Sequence, residues 1–131
     1  MAKRTILIFG ESKEGQFQKL LFINSLPKLA TILGEPTETG IGVHIAIQAM
    51  LYNLEVLFYK VKEEGSDEDA YLQGFRLIEK EAPSLILGAI ALPGASAPKI
   101  LEIANSLCDL HNSLILSNER DLYDYITRNR P

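Results

Sequence analysis

The chain has 131 residues, of which 47% are hydrophobic and 23% are charged, a composition that suits one globular domain spanning residues 1–131. Its formal net charge of −4 argues against a nucleic-acid partner or an anionic membrane surface, because phosphate groups attract basic surfaces. With Cys108 as its one cysteine, the chain excludes an intrachain disulfide and a zinc site of clustered thiolates.

Apolar segments are predicted to form strands. Thr5–Phe9 is a continuous apolar run, typical of a strand buried on both faces of a parallel sheet. Leu54–Val61, Leu85–Leu92 and Leu114–Leu116 are the second, third and fourth candidates. Leu20–Ile23 is too short for its type to be decided. We expect the order second, first, third, fourth, since the most apolar strands belong in the middle of a sheet.

Helical segments lie between these strands and begin at recognisable signals. A serine precedes a proline or a group of acids at three starts, which are Ser25, Ser66 and Ser96, and Ser117 opens the last helix. Gly42–Asn53 is apolar almost all round, which indicates a helix buried in the core or against a partner. One such helix is hard to cover in a domain this small, so we expect a homo-oligomer.

Alternation of strands and helices predicts an α/β fold with right-handed crossovers. We expect three layers, with a small parallel or mostly parallel sheet of about four strands flanked by helices, as in Rossmann-like and flavodoxin-like domains. No stretch approaches the length of a membrane span, and the run behind the basic N-terminus is too short for a signal peptide. A cytoplasmic protein without a membrane partner is therefore expected.

The loop after the first strand is a candidate anion site. Ser12, Lys13 and Gly15 follow that strand, where doubly wound folds hold phosphates with backbone amides and where Lys13 supplies a charge. The spacing matches neither G-x-G-x-x-G nor G-x-x-x-x-G-K-[ST], so a plain charged turn remains the alternative.

Three more residues follow later strands. Gly94, Ser96 and Ser117 are expected at the same edge of the sheet as the first loop, where ligands of open α/β sheets bind. Helix capping alone would also account for the two serines, at about 1 kcal/mol each.

Catalytic and metal-binding patterns are not found in the sequence. His44 and His111 fit no metal spacing, and the acids at 63–64 and 67–69 are interpreted as a solvated turn and a helix start. A receiver domain needs acids after the first strand and a phosphoacceptor Asp after the third, where Gly10-Glu11 and Pro93-Gly94 stand. We predict no cofactor and no metal, and enzymatic activity is undecided but disfavoured.

The chain resembles the N-terminal core domain of contractile, phage-type tail sheath subunits. The segments that carry the resemblance run in the same order as in that family: Phe9-Gly10-Glu11 to Gly15, Ile23–Pro27, Leu33–Pro36, Ala46–Tyr52, Val56–Val61, Ala91–Gly94, Cys108 and Ser113–Leu116. Sheath subunits are far longer, and their C-terminal domain and exchanging terminal arms have no counterpart here. The resemblance implies at most a shared core domain used in assembly.

Two functions are carried forward from these patterns. The first is a non-catalytic interaction or assembly module that associates with itself, for which the resemblance implies a tail-sheath-like role. The second is a small-molecule binding domain or simple enzyme, with an anion, phosphate or nucleotide at the strand ends.

Overall fold

The structure, a computed structural model, describes residues 4–81, 87–111 and 113–128. Within these ranges the elements follow one another as β1 (Thr5–Gly10), β2 (Leu20–Ile23), α1 (Leu26–Leu33), α2 (Gly42–Leu51), β3 (Glu55–Lys60), α3 (Glu68–Glu81), β4 (Leu87–Ala91), α4 (Pro98–His111), β5 (Leu114–Leu116) and α5 (Glu119–Arg128). The first two residues of the predicted third strand, 85 and 86, lie outside the described residues.

The strands form one sheet in the order β2-β3-β1-β4-β5. β1 pairs in parallel with β3 and β4, and β5 pairs in parallel with β4, so the parallel strands have the expected order. The undecided segment Leu20–Ile23 is a strand, and it pairs antiparallel with β3 at the edge of the sheet. The sheet therefore has five strands rather than about four, and it is mostly parallel.

Helices cover both faces of the sheet, which confirms the three-layer α/β architecture. Ile6 and Ile8 of β1 face a core formed with α1, α2 and α5. Leu7 and Phe9 face a second core formed with α3 and α4. All four side chains are almost completely buried, as the continuous apolar run of this strand predicts.

The apolar helix α2 is covered by its own chain. It packs on β1 and β3 and contacts α1 and α5, and Ile45, Ala46 and Ala49 are fully buried. The expectation that α2 needs a partner subunit to cover it was wrong, because two neighbouring helices close around it. Leu51, at its C-terminal end, is exposed.

Capping residues differ in part from the prediction. Ser25 caps α1, because its Oγ accepts a hydrogen bond from the Lys28 amide at 3.3 Å. α3 is capped by Asp67 rather than Ser66, since Asp67 Oδ1 accepts from the Ala70 amide at 3.3 Å. The cap of α3 thus lies one position after the predicted serine, because Asp also accepts from a helix N-terminus and favours the dipole.

Cys108 is buried in the core beside α3, which confirms its expected role as a small apolar residue. Burial raises the pKa of its thiol, so the reactive thiolate is disfavoured. Within the described ranges, no helix is both long and apolar enough to cross a membrane.

Gly74 of α3 packs directly on the aromatic core and yields a first prediction. A Cβ there would lie 2.9 Å from Phe9 Cζ and 3.1 Å from Tyr59 Cδ1. Although alanine favours helices, we expect Gly74→Ala to lower the free energy of unfolding by about 1–3 kcal/mol, because the packed rings must move. Urea denaturation measures this, with the exposed neighbour Gln73→Ala as the control. A Gly74→Ala variant as stable as that control would contradict the packing.

Candidate functional site at the carboxyl ends of the strands

The carboxyl ends of β1 and β4 mark the point where the chain changes direction across the sheet. α2, which leads from β1 toward β3, lies on one face, and α4, which follows β4, lies on the other. In open α/β sheets a crevice forms between two such strands and commonly receives the ligand. This edge of the sheet is therefore the candidate ligand site of the fold.

In this protein the crevice is closed by the loop between β3 and α3, here called the closing loop (residues 61–67). Its Glu64 carboxylate accepts three backbone hydrogen bonds, from the amides of Glu11 at 2.9 Å, Ile41 at 2.8 Å and Gly42 at 2.9 Å. Hydrogen bonds from amides to an ionised carboxylate are stronger than neutral ones. A single side chain thus holds the end of β1, the start of α2 and its own loop together.

The N-terminus of α2 depends on this carboxylate for its cap. Ile41 is the N-cap residue and has no side chain that can accept a hydrogen bond. Glycines flank it because the backbones lie so close: a Cβ at Gly42 would lie 2.7 Å from Gly10 Cα, and one at Gly40 would lie 2.6 Å from Glu64 Oε2. Glu64 therefore caps a helix that lies more than twenty positions before it in the sequence.

Glu11 makes the reciprocal contact. Its Oε2 accepts from the Glu64 amide at 2.9 Å, and its Oε1 accepts from Thr39 Oγ1 at 2.6 Å. Each of the two glutamates therefore accepts from the backbone of the other. This pair, here called the Glu11–Glu64 clasp, joins the loops after β1 and β3.

The closing loop also reaches the turn after β4. Gly65 has a φ of +86°, and a Cβ there would lie 2.6 Å from the Gly94 carbonyl carbon, so only glycine permits this approach. The Gly65 amide donates to Tyr71 Oη at 2.7 Å. Burial raises the pKa of Tyr71 to about 12; the charges of Glu64 and Glu11 add to this, and the Gly65 amide opposes it.

Outside the clasp, an open cleft of about 730 Å³ remains. It is lined by carboxylates, hydroxyls and one ammonium group, from Glu11, Thr39, Lys62, Glu63, Glu64, Ser66 and Asp67. Across the described part of the chain, no three His, Cys, Asp or Glu residues are arranged to hold a metal ion. Because Glu64 already occupies the amides of α2, this helix N-terminus is satisfied by the chain's own negative charge.

The first predicted loop is folded onto itself. Ser12 is buried, and its Oγ donates to the Glu14 carbonyl at 2.5 Å. Lys13 Nζ lies 3.9 Å from Glu35 Oε2 at the surface. Ser12 and Gly15 lie close together, since a Cβ at Gly15 would be 3.7 Å from Ser12 Oγ. The Ser12 hydroxyl and the Lys13 ammonium group therefore have partners within the chain.

The other predicted site residues lie beyond the closing loop. Gly94 meets Gly65, and both Ser96 and Ser117 are exposed. The cap of α5 is Asn118 rather than Ser117: Asn118 Oδ1 accepts from the amide of Asp121 at 2.8 Å, while the Ser117 amide donates to Asp121 Oδ2 at 2.7 Å. In the described ranges no hydrogen bond joins these residues to Ser12, Lys13 or Gly15, and anion binding by the six residues stays a prediction.

The clasp was missed at the level of sequence. Glu64 is half-buried and fully engaged, so its interpretation as part of a solvated turn was wrong. One local signal was available: α2 begins at Gly42 without a capping side chain before it, which leaves its amides in need of an acceptor. Nothing in the sequence indicates that the acceptor lies 22 positions further on.

Comparisons with protein-family models, with curated proteins and with solved structures give no match to this chain.

The clasp gives a second prediction. Glu64→Gln replaces one carboxylate oxygen with an amide group that donates, and this group then faces backbone donors. We expect the free energy of unfolding to fall by about 2–3 kcal/mol, since hydrogen bonds to a charged group are lost. The neighbouring exposed Glu63→Gln is the matched control and should change stability by less than about 0.5 kcal/mol. Equal effects of the two substitutions in chemical denaturation would contradict the role of Glu64.

Tyr71 gives a third prediction, on pH. Its raised pKa means that the folded protein holds the phenolic proton more tightly than the unfolded chain, whose pKa is near 10. The stabilisation is therefore complete below pH 10 and is lost as the pH rises toward 12, by about 2–3 kcal/mol. We expect Tyr71→Phe to flatten this part of the stability curve. Parallel curves for the two proteins between pH 9 and 12 would show that Tyr71 does not titrate as described.

Proposed function

We propose that the protein is a non-catalytic interaction module and that it binds a second copy of itself edge to edge through β2. The observation that carries this proposal is the outer edge of β2, an apolar strand at the end of the sheet. An unpaired strand edge presents a row of backbone donors and acceptors that another strand can bind.

Apart from its short length, β2 lacks the features that usually protect an edge strand. It pairs with β3 on one side only, and its sequence Leu-Leu-Phe-Ile contains no charge and no proline. Phe22 is 47% exposed. Natural edge strands are commonly protected by lysine, proline or a bulge, because a bare apolar edge associates. Its short length limits this association to a specific, small contact.

A two-fold pairing of β2 with itself is geometrically consistent. In an antiparallel pair, residues opposite each other point to the same face of the sheet. A register that places Phe22 opposite the same residue of the second copy also places Leu21 opposite Ile23. Leu21 and Ile23 both pack toward the core formed with α1 and α2, so the faces of the two copies match. Such a self-complementary contact is the usual form of a dimer interface.

The carboxyl ends of the strands, where ligands of open α/β sheets commonly bind, give less support to the alternative function, small-molecule binding. The closing loop lies over the crevice, and Glu64 occupies the amides at the N-terminus of α2, where an anion commonly binds. A small-molecule binding domain with its ligand at Ser12, Lys13, Gly15, Gly94, Ser96 and Ser117 would have to use the other donors of these loops. We therefore place it second.

Three finer assignments belong to the same proposal. The order β3-β1-β4-β5 is that of the first four strands of a flavodoxin-like sheet, so we assign the domain to that group of doubly wound folds. A tail-sheath-like role, in which copies assemble into an array, is supported by the sequence resemblance alone. A reduced lone thiol and the −4 charge fit a cytoplasmic protein.

Light scattering after size-exclusion chromatography tests the proposal, with protein from micromolar to millimolar concentration. We expect the wild-type chain to form a dimer and Phe22→Lys to be monomeric, because a charge on the edge strand prevents pairing. Tyr123→Lys is the matched control: Tyr123 is 58% exposed on α5, and its replacement should leave the dimer intact.

Three outcomes would contradict edge pairing through β2. The first is a strict monomer at millimolar concentration, and the second is a Phe22→Lys dimer. The third is dissociation by Leu114→Lys alone, which would place the interface on β5 at the opposite edge. A monomer that is reorganised by phosphate or a nucleotide would instead favour the alternative function at the strand ends.

A further inference from the structure

A groove runs along α3 on the side of the sheet that carries β2 and β3. It consists of two adjoining depressions of about 290 and 260 Å³. Both are lined by Gln18, Tyr59 and Gln73, so they share one floor and one wall. Each depression is near the lower size limit of small-molecule sites, and together they offer room for one ligand.

The floor of the groove is formed in part by a tyrosine. Tyr59 is only 1% exposed, yet it lines both depressions. Its phenolic hydroxyl can donate one hydrogen bond. Burial raises the pKa of Tyr59, and Asp67 adds to this effect, so the phenol stays protonated and can donate.

The two depressions differ in charge. The upper one, next to the closing loop, is lined by two cations, Lys60 and Lys62, and two acids, Asp67 and Asp69. The lower one is lined by Arg76 and Lys80 and by no acid. In a chain with a net charge of −4, this is a local concentration of positive charge.

Neither cation of the lower depression is neutralised. In the described ranges the structure gives no ion pair to Arg76 or to Lys80. Lys80 lies in the last turn of α3, where a cation also stabilises the helix dipole. Arg76 lies earlier in the helix, so the dipole does not account for its position at the groove.

The upper depression offers an aromatic surface. Phe17 is 51% exposed and lines this depression. Lys60 Nζ lies 4.7 Å from the centre of its ring, over one face. This contact holds the ring in place at the mouth of the groove, where a planar group can stack against it.

We propose that this groove binds a planar aromatic ligand that carries a phosphate or carboxylate group. The ring stacks on Phe17, the anionic group lies between Arg76 and Lys80, and Tyr59 donates a hydrogen bond to the middle of the ligand. Gln73 and Lys80 are seven residues apart on α3, about 10 Å along the helix axis, which suits a molecule the size of a mononucleotide. This site is independent of the proposed pairing through β2.

An NMR titration with five probes tests the site. The probes are adenosine 5′-monophosphate, 1-naphthyl phosphate, 1-naphthoate, adenosine and inorganic phosphate. The two naphthyl compounds compare a carboxylate with a phosphate. We expect the aromatic anions to shift the side-chain amide signals of Gln18 and Gln73. Adenosine alone and phosphate alone should bind at least roughly tenfold more weakly than the aromatic anions, because each engages only one end of the groove. The proposal is overturned when none of the aromatic anions shifts these signals.

Three variants locate the contact. Arg76→Gln combined with Lys80→Gln should weaken binding of the aromatic anions by about tenfold or more, since charge-assisted bonds are removed. Tyr59→Phe should weaken it several-fold and leave the fold intact, because it removes the hydroxyl and keeps the buried ring. Lys28→Gln, which removes an exposed cation from α1 on the opposite face of the sheet, is the control and should change nothing. Unchanged binding by the double variant would assign the shifts to another surface and overturn the site.

Discussion

The close packing of Gly10 against Gly42 is the constraint around which this fold is organised. A Cβ at either position would meet the other backbone at less than 3 Å, so β1 and the start of α2 approach more closely than any side chain permits. Ile41, the residue before Gly42, provides no side-chain cap for the first amides of α2. The Glu64 carboxylate supplies the missing acceptor from a distant loop, and the rest of the sheet edge follows from that contact.

Closure of the crevice separates this protein from the usual arrangement of doubly wound sheets. In most of them the strand ends stay open, and the helix N-terminus binds a ligand anion. Here the glutamates of the clasp cover the strand ends and occupy the helix N-terminus, and Gly65 extends the closing loop onto the turn after β4. The two surfaces proposed above for partners are the edge of β2 and the groove along α3. Both lie on the same side of the molecule, where β2 meets β3.

The sequence predicted the fold well because the fold depends on local patterns. The apolar run of β1, the serine before α1 with the proline in its first turn, and the alternation of strands with helices all act within a few residues, and each is confirmed. The order of the parallel strands followed from which of them were most apolar. β2 could not be decided, because four apolar residues fit a strand or a helix and its pairing with β3 is set by tertiary contacts.

The site was much less predictable, for a physical reason. Glu11 and Glu64 are 53 positions apart, and either one alone looks like an ordinary solvated acid. Likewise Tyr59 is indistinguishable from a core aromatic until the groove above it is seen. By contrast, Ser12 and Lys13 were predicted to belong to a phosphate-binding loop, and their actual partners are the Glu14 carbonyl, two residues after Ser12, and the surface residue Glu35. Short sequence motifs indicate hydrogen bonds between neighbouring residues, whereas the contacts at this edge of the sheet join residues that are far apart in the sequence.

Native-state hydrogen exchange on the amides of Glu11, Ile41 and Gly42 tests the central claim most directly. None of these amides belongs to a strand ladder or to the internal hydrogen bonds of α2, and each donates to Glu64. If Glu64 holds this edge together, the three amides should be protected to a similar degree and should exchange together, in one cooperative opening. Exchange near the rate of a free peptide, or three unrelated rates, would contradict the account and leave the crevice open.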